Sequence, residues 1–245
     1  MTIPTPTPVW LSAEQVRETV QKARRAKAEL LAILAGIDAK VEKRREELNR
    51  SLSDLGTKAR LAAIDASAAT LKITLKNETN PRRVELLRAI ARLNESAKAA
   101  IPLYDNPVTM LMRATVASDR RVTIAANIEA SGKTELGMFA GLAVASKDQA
   151  MAAAVVSRPH GIKPMSARPA SPRAVADAIL GEEQRELYAA LLECDAIMTE
   201  AALANRLMES GRSGASGIAT VEAALKARRI AEVGGKRVDD SDADE

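Results

Sequence analysis

Apolar residues recur in alternating steps of three and four at Val16, Val20, Ala23, Leu30, Leu34, Ile37, Val41, Leu48 and Leu55, with Lys27 and Arg44 at the two seam positions where an apolar residue is due. A heptad held over about five repeats predicts an amphipathic helix with one narrow buried stripe. Its start is marked by Ser12 and Gln15 at capping-box spacing, with Leu11 and Val16 at staple positions. Beyond Gly56 the apolar positions resume, slipped by about one residue, at Leu61, Ile64, Ala68, Leu71 and Leu75. Ser12 to Asn77 is therefore expected to be one very long helix or two end to end. Leu71, Ile73 and Leu75 also alternate with Lys72, Thr74 and Lys76, the period of a half-buried strand, which leaves room for one minor β element.

Further on, Asn80 and Pro81 have the order of an N-cap and first helical residue, predicting a turn at Asn77–Pro81 and a helix to about Ala100, closed by Pro102. Asn106 and Pro107 repeat that device and open a helix expected to reach Ala130, before Ser131 and Gly132 break the chain. Leu136 to Val156 is almost uniformly apolar, with only Lys147 and Asp148 charged. Two adjacent charges at its middle would be costly at a bilayer centre, so it is expected to be a buried central helix and not a membrane span. Gly137 and Gly141, four residues apart, suit close approach of another helix. Four prolines between Arg158 and Pro172 mark a linker, and a helix follows through Val175, Ile179, Leu187, Leu191, Ile197, Ala201 and Leu207.

The organisation expected is an extended Pro-rich arm at 1–11, a helical core at 12–157, a linker at 158–172, a C-terminal helix at 173–210, a Gly/Ser joint at 211–217, a short basic helix at 218–238 and an acidic tail at 239–245. The fold class is all-α: an elongated helical bundle with a very long N-terminal helix and antiparallel partners.

Composition sharpens this. Aromatic residues make up only 2% of the chain against 47% hydrophobic, so the core rests on Ala, Leu, Val and Ile, which favours helices over sheets and supplies little buried area per residue. Stability is then expected to lean on neighbours, with Leu30, Leu34, Ile37, Val41, Leu48, Gly137 and Gly141 as an interface between subunits. Trp10, ending an arm with prolines at positions 4, 6 and 8, is the kind of rigid anchor that docks on a neighbour. Five of the 32 carboxylates fall in 239–245, so the remainder of the chain is more basic than its net +4. Basic pairs at Arg24 and Arg25, Arg44 and Arg45, Arg82 and Arg83, Arg120 and Arg121, and Arg228 and Arg229 are candidate phosphate contacts.

Catalytic signatures are sparse. His160 is the only histidine and Cys194 the only cysteine, which excludes histidine-based triads, multi-histidine metal sites and an intrachain disulfide. Ser131-Gly132-Lys133-Thr134 has the end of a phosphate-binding loop, but Asn127 stands where the pattern needs its first glycine. No cofactor or metal is expected. Without a basic start or an apolar run at the N-terminus, a cytoplasmic location, or a particle assembled there, is the expectation. The reading is a non-enzymatic structural protein working as a homo-oligomer or as part of a larger particle, such as a virion or secretion assembly. The second reading is a nucleic-acid-binding helical oligomer that uses the basic pairs.

Overall fold

The computed structural model describes residues 8–158 and 171–210. Expectations for 1–7, 159–170 and 211–245, including His160, Arg228, Arg229, the joint, the basic helix and the acidic tail, lie outside the described residues. Of the described residues 87% are helical, in seven helices with no strand among them. The helices are α1 (Ala13–Ser51), α2 (Thr57–Tyr104), α3 (Pro107–Ala114), α4 (Asp119–Asn127), α5 (Lys133–Ser146), α6 (Gln149–Ser157) and α7 (Pro172–Glu209). They form two compact units, one from described residues within Met1–Lys22 and Leu93–Asp195, the other from those within Ala23–Arg92 and Ala196–Glu245.

The start of α1 follows its sequence signal. The Ser12 hydroxyl accepts from the Gln15 backbone N–H at 3.2 Å, and the Gln15 side chain accepts from the Ser12 N–H at 2.8 Å, closing the capping box. The predicted seam is buried: Val16, Val20, Ala23, Leu30, Leu34 and Ile37 are at most 3% exposed and Val41 is 9%. Toward the end of α1 the seam opens, with Leu48 half-buried and Leu55 exposed. Helix α1 ends at Ser51 and α2 begins at Thr57, so the long stretch is two helices joined by a turn around Gly56.

In the second unit, α1 and α2 run antiparallel, because ion-pair partners on α2 climb as those on α1 descend: Arg45 with Asp65, Asp38 with Lys72, and Glu29 with Arg82. Helix α7 is antiparallel to α2, with Lys76 near Glu209 and Arg83 near Asn205. Lys27, one of the two polar interruptions of the seam, is half-buried and ion-paired with Glu200 of α7. The other, Arg44, stays exposed and meets Ser67 and Glu47.

Several expected boundaries are corrected. Leu71–Lys76 is helical throughout, so the alternation there does not make a strand. Asn77–Pro81 is no turn: α2 continues through Pro81 and past Pro102 to Tyr104. Proline in a helix interior removes a donor and crowds the preceding turn. Just upstream, the Thr79 hydroxyl donates to Leu75 O at 2.8 Å and the Arg83 guanidinium donates to Lys76 O at 3.0 Å, so side chains add bonds to carbonyls in the turns before the proline. The helix expected from Pro107 to Ala130 is divided into α3 and α4, because Ser118 caps α4 by accepting from Arg121 N–H. The Asn106 cap of α3 is present, its side chain accepting from Val108 N–H at 2.9 Å.

The apolar run Leu136–Val156 is likewise two helices. Lys147 adopts a left-handed conformation (φ 52°) and ends α5, and the Asp148 carboxylate then accepts from Ala150 and Met151 N–H groups to start α6. Helix α6 is the central one: Ala152 through Val156 are all buried, and α3, α4 and α5 pack around it. Helix α5 buries Leu136, Ala140 and Ala143 but leaves Met138 71% and Leu142 54% exposed.

Candidate functional site

Two polar clusters stand out, one in each unit. In the second unit, Lys76, Thr79 and Arg83 share one face of α2, three and four residues apart. The Arg83 side chain is only 1% exposed and pairs with Glu209 Oε1 at 2.7 Å. It also donates to the Asn205 side chain, to Thr79 Oγ1 at 3.3 Å and to Lys76 O at 3.0 Å. Lys76 Nζ reaches Glu209 Oε2 at 3.4 Å and donates to the Glu209 carbonyl at 3.0 Å, placing a cation at the C-terminal end of α7 where the helix dipole favours one. Burial raises the Glu209 pKa, but Arg83 and Lys76 outweigh it and hold the carboxyl below its ordinary value. A guanidinium buried this deeply is tolerable because its donors have acceptors, so the cluster acts as a clamp between α2 and α7.

In the first unit, Trp10 stacks on Tyr104 with ring centroids 5.2 Å apart and planes 2° from parallel. Tyr104 is fully buried; its hydroxyl donates to Leu11 O, and its carbonyl accepts from the Gln184 side chain. Val9 N–H donates to Ala99 O at 3.0 Å, so the segment before α1 is tied to α2. Burial, with the Glu183 carboxylate second, pushes the Tyr104 hydroxyl up to about 12. Nearby, Asp195 accepts from Lys98 at 2.7 Å and from Asn94 at 3.1 Å, and these two bonds hold its carboxyl below the usual range.

Most residues singled out from the sequence have a role within the chain. Leu30, Leu34, Ile37 and Val41 are buried within the single chain, so its own helices cover them. Trp10 docks on Tyr104 of the same chain and is half-buried there. Leu48 is half-buried, Gly137 is half-buried and Gly141 is exposed.

The basic pairs are spread over the fold. Arg24 and Arg25 are exposed on α1, and Arg44 and Arg45 lie twenty residues along the same helix, about 30 Å away at helical rise. Arg45 pairs with Asp65 at 3.3 Å, and Arg82 pairs with Glu29 at 2.7 Å and Glu85 at 2.6 Å. Those two carboxylates, Glu85 first, raise the Arg82 pKa further. In the other unit, Arg120 pairs with Asp148, while Arg121 donates to Met112 O at 3.1 Å and Ser157 Oγ at 3.2 Å. Arg83 and Arg121 thus spend their donors inside the fold. The sequence reading missed Lys76, Thr79, Asn205, Glu209 and Tyr104; the polar i, i+3, i+7 stripe at 76, 79 and 83 was the signal that could have found the clamp.

Chemically, both clusters are closed sets of donors and acceptors. Val122, Thr123 and Ile124 lie in α4 and not in a strand, so the Gly132-Lys133-Thr134 segment lacks the strand that a phosphate-binding loop follows. No group of three or more His, Cys, Asp or Glu side chains among the described residues is placed to hold a metal, and no helix among them is long and apolar enough to cross a membrane. No protein-family model, curated protein or solved structure matches the chain.

Proposed function

We propose that the chain is a non-enzymatic helical structural protein that works as a homo-oligomer or as one subunit of a larger particle. The observation that carries this reading is α5, which is uncharged from Leu136 to Ser146 yet turns Met138 and Leu142 to solvent. A helix apolar on all sides is ordinarily covered on all sides, whereas α5 buries Leu136, Ala140 and Ala143 and leaves Met138 and Leu142 exposed. The engagement of Lys27, Lys72, Lys76 and Arg83 in pairs between helices adds support, because these charged groups serve helix packing.

Light scattering on the full chain at two salt concentrations, with and without a random DNA duplex, tests the reading. A mass that is a multiple of 26.1 kDa, unchanged by salt or DNA, is expected. A 26.1-kDa monomer throughout overturns it, and a mass that rises only with DNA at low salt favours a nucleic-acid-binding protein instead.

A further inference from the structure

We propose that the open end of the α1–α2 seam is a docking surface for the chain's own C-terminal segment, residues 218–233, which continues past α7 along the same groove. This contact is separate from assembly through α5, which belongs to the other unit. The surface is defined by where burial fails. Leu30, Leu34 and Ile37 are buried alongside α7, Val41 is 9% exposed, Leu48 and Leu52 are half-buried, and Leu55 and Leu61 are 45% and 54% exposed. Leu48, Leu52 and Leu55 keep the three-and-four spacing of the buried seam, so they extend the same apolar stripe and lack its cover. The cover that stops is α7. Its final residue, Glu209, lies beside Lys76, whose Nζ donates to the Glu209 carbonyl at 3.0 Å. From Lys76 back to Thr57 the hairpin goes on for about 28 Å at helical rise, with Asp38 paired to Lys72 and Arg45 to Asp65.

The occupant follows from direction, length and charge. Helix α7 runs antiparallel to α2, so the chain leaves Ser210 heading along the uncovered seam toward the turn at Gly56. In the sequence that follows, Ile218, Val221 and Leu225 stand at i, i+3 and i+7, one helical stripe. Residues 218–233 would span about 24 Å as a helix, close to the length of the uncovered seam. The five carboxylates of 239–245 then come level with the turn, where residues 50–60 carry Arg50, Lys58 and Arg60 against the single carboxylate of Asp54. Arg60 Nε is buried with no hydrogen-bond partner, so that guanidinium has a donor still to place. Joined to the mouth of the groove by 211–217, the segment has an effective concentration there on the order of millimolar, which a second copy in dilute solution does not match.

The test uses the full chain with Leu61→Cys as a reporter and Leu55→Cys as a second one. Ile73→Cys is the control, because Ile73 is 60% exposed but lies about 120° around α2 from Leu61. The native Cys194 is fully buried and does not contribute. Each variant is labelled with a maleimide in the otherwise unchanged chain and in one that also carries Val221→Asp and Leu225→Asp, with helicity followed by circular dichroism. The reporters, and not the control, are expected to label on the order of tenfold more slowly in the first background, because the thiol is reached only when the segment lifts. That protection is expected to be independent of protein concentration. Equal labelling of the reporters in the two backgrounds overturns the proposal. Protection that grows with protein concentration overturns it too, and assigns the groove to the segment of a second copy.

Discussion

Replacing Arg83 with alanine probes the α2–α7 clamp. The wild-type guanidinium is 1% exposed and serves four acceptors: Glu209, the Asn205 side chain, Thr79 Oγ1 and Lys76 O. Removing one member of a buried pair costs roughly 3–5 kcal/mol. Glu209 is 47% exposed and can rehydrate, which places the expected loss at the lower end, about 3 kcal/mol. For a chain of this size that lowers the melting temperature by about 10 °C. The control is its neighbour Arg82, which also makes two ion pairs but is 49% exposed; Arg82→Ala is expected to change stability little. Urea unfolding followed by circular dichroism measures both. If Arg83→Ala is no more destabilising than Arg82→Ala, the clamp is not a stability element and the argument from burial fails.

Two further predictions concern pH. Tyr104 is raised to about 12, so its contribution is fully present below the ordinary phenol value of 10 and is lost as pH climbs toward 12; in a Tyr188→Phe background, where Tyr104 is the one remaining tyrosine, tyrosinate absorbance should appear near that upper value and fall to the ordinary one in urea. Asp195 and Glu209 are both held below their ordinary values, so their contributions are present above about pH 4.5 and are lost as pH falls through the lower folded values. Thermal melts from neutral to acid pH should therefore show a decline that Asp195→Asn together with Glu209→Gln makes shallower. A fourth prediction is that Lys147→Gly raises monomer stability by about 0.5 kcal/mol, since glycine relieves the left-handed backbone at φ 52° while adding unfolded-state freedom; unchanged or lower stability in urea would contradict it.

The sequence carried much of the fold wherever the signal was local. The heptad of α1, the Ser12–Gln15 box and the Asn106 cap are all present in the structure, because each depends on residues within one or two turns. The errors arose where tertiary packing overrode a local signal. Asn80-Pro81 has the order of a helix start, yet the helix persists through it with Thr79 and Arg83 serving nearby carbonyls. Lys147 and Asp148 read as charges in an apolar run, whereas their structural part is a left-handed C-cap and an N-cap. The clamp was hidden because Arg83 lies 122 residues from Asn205 and further still from Glu209, and a charged residue is ordinarily assigned to the surface.

The central claim joins two parts: each chain closes its own α1 seam, and the proposed assembly engages the outer surface of α5. Sedimentation equilibrium of the Met138→Glu, Leu142→Glu double variant, with circular dichroism on the same samples, tests both together. Both side chains are exposed in the single chain, so the account predicts a 26.1-kDa monomer with wild-type helicity and an unchanged melting temperature. A variant that remains oligomeric, or one that unfolds as it dissociates, would contradict it.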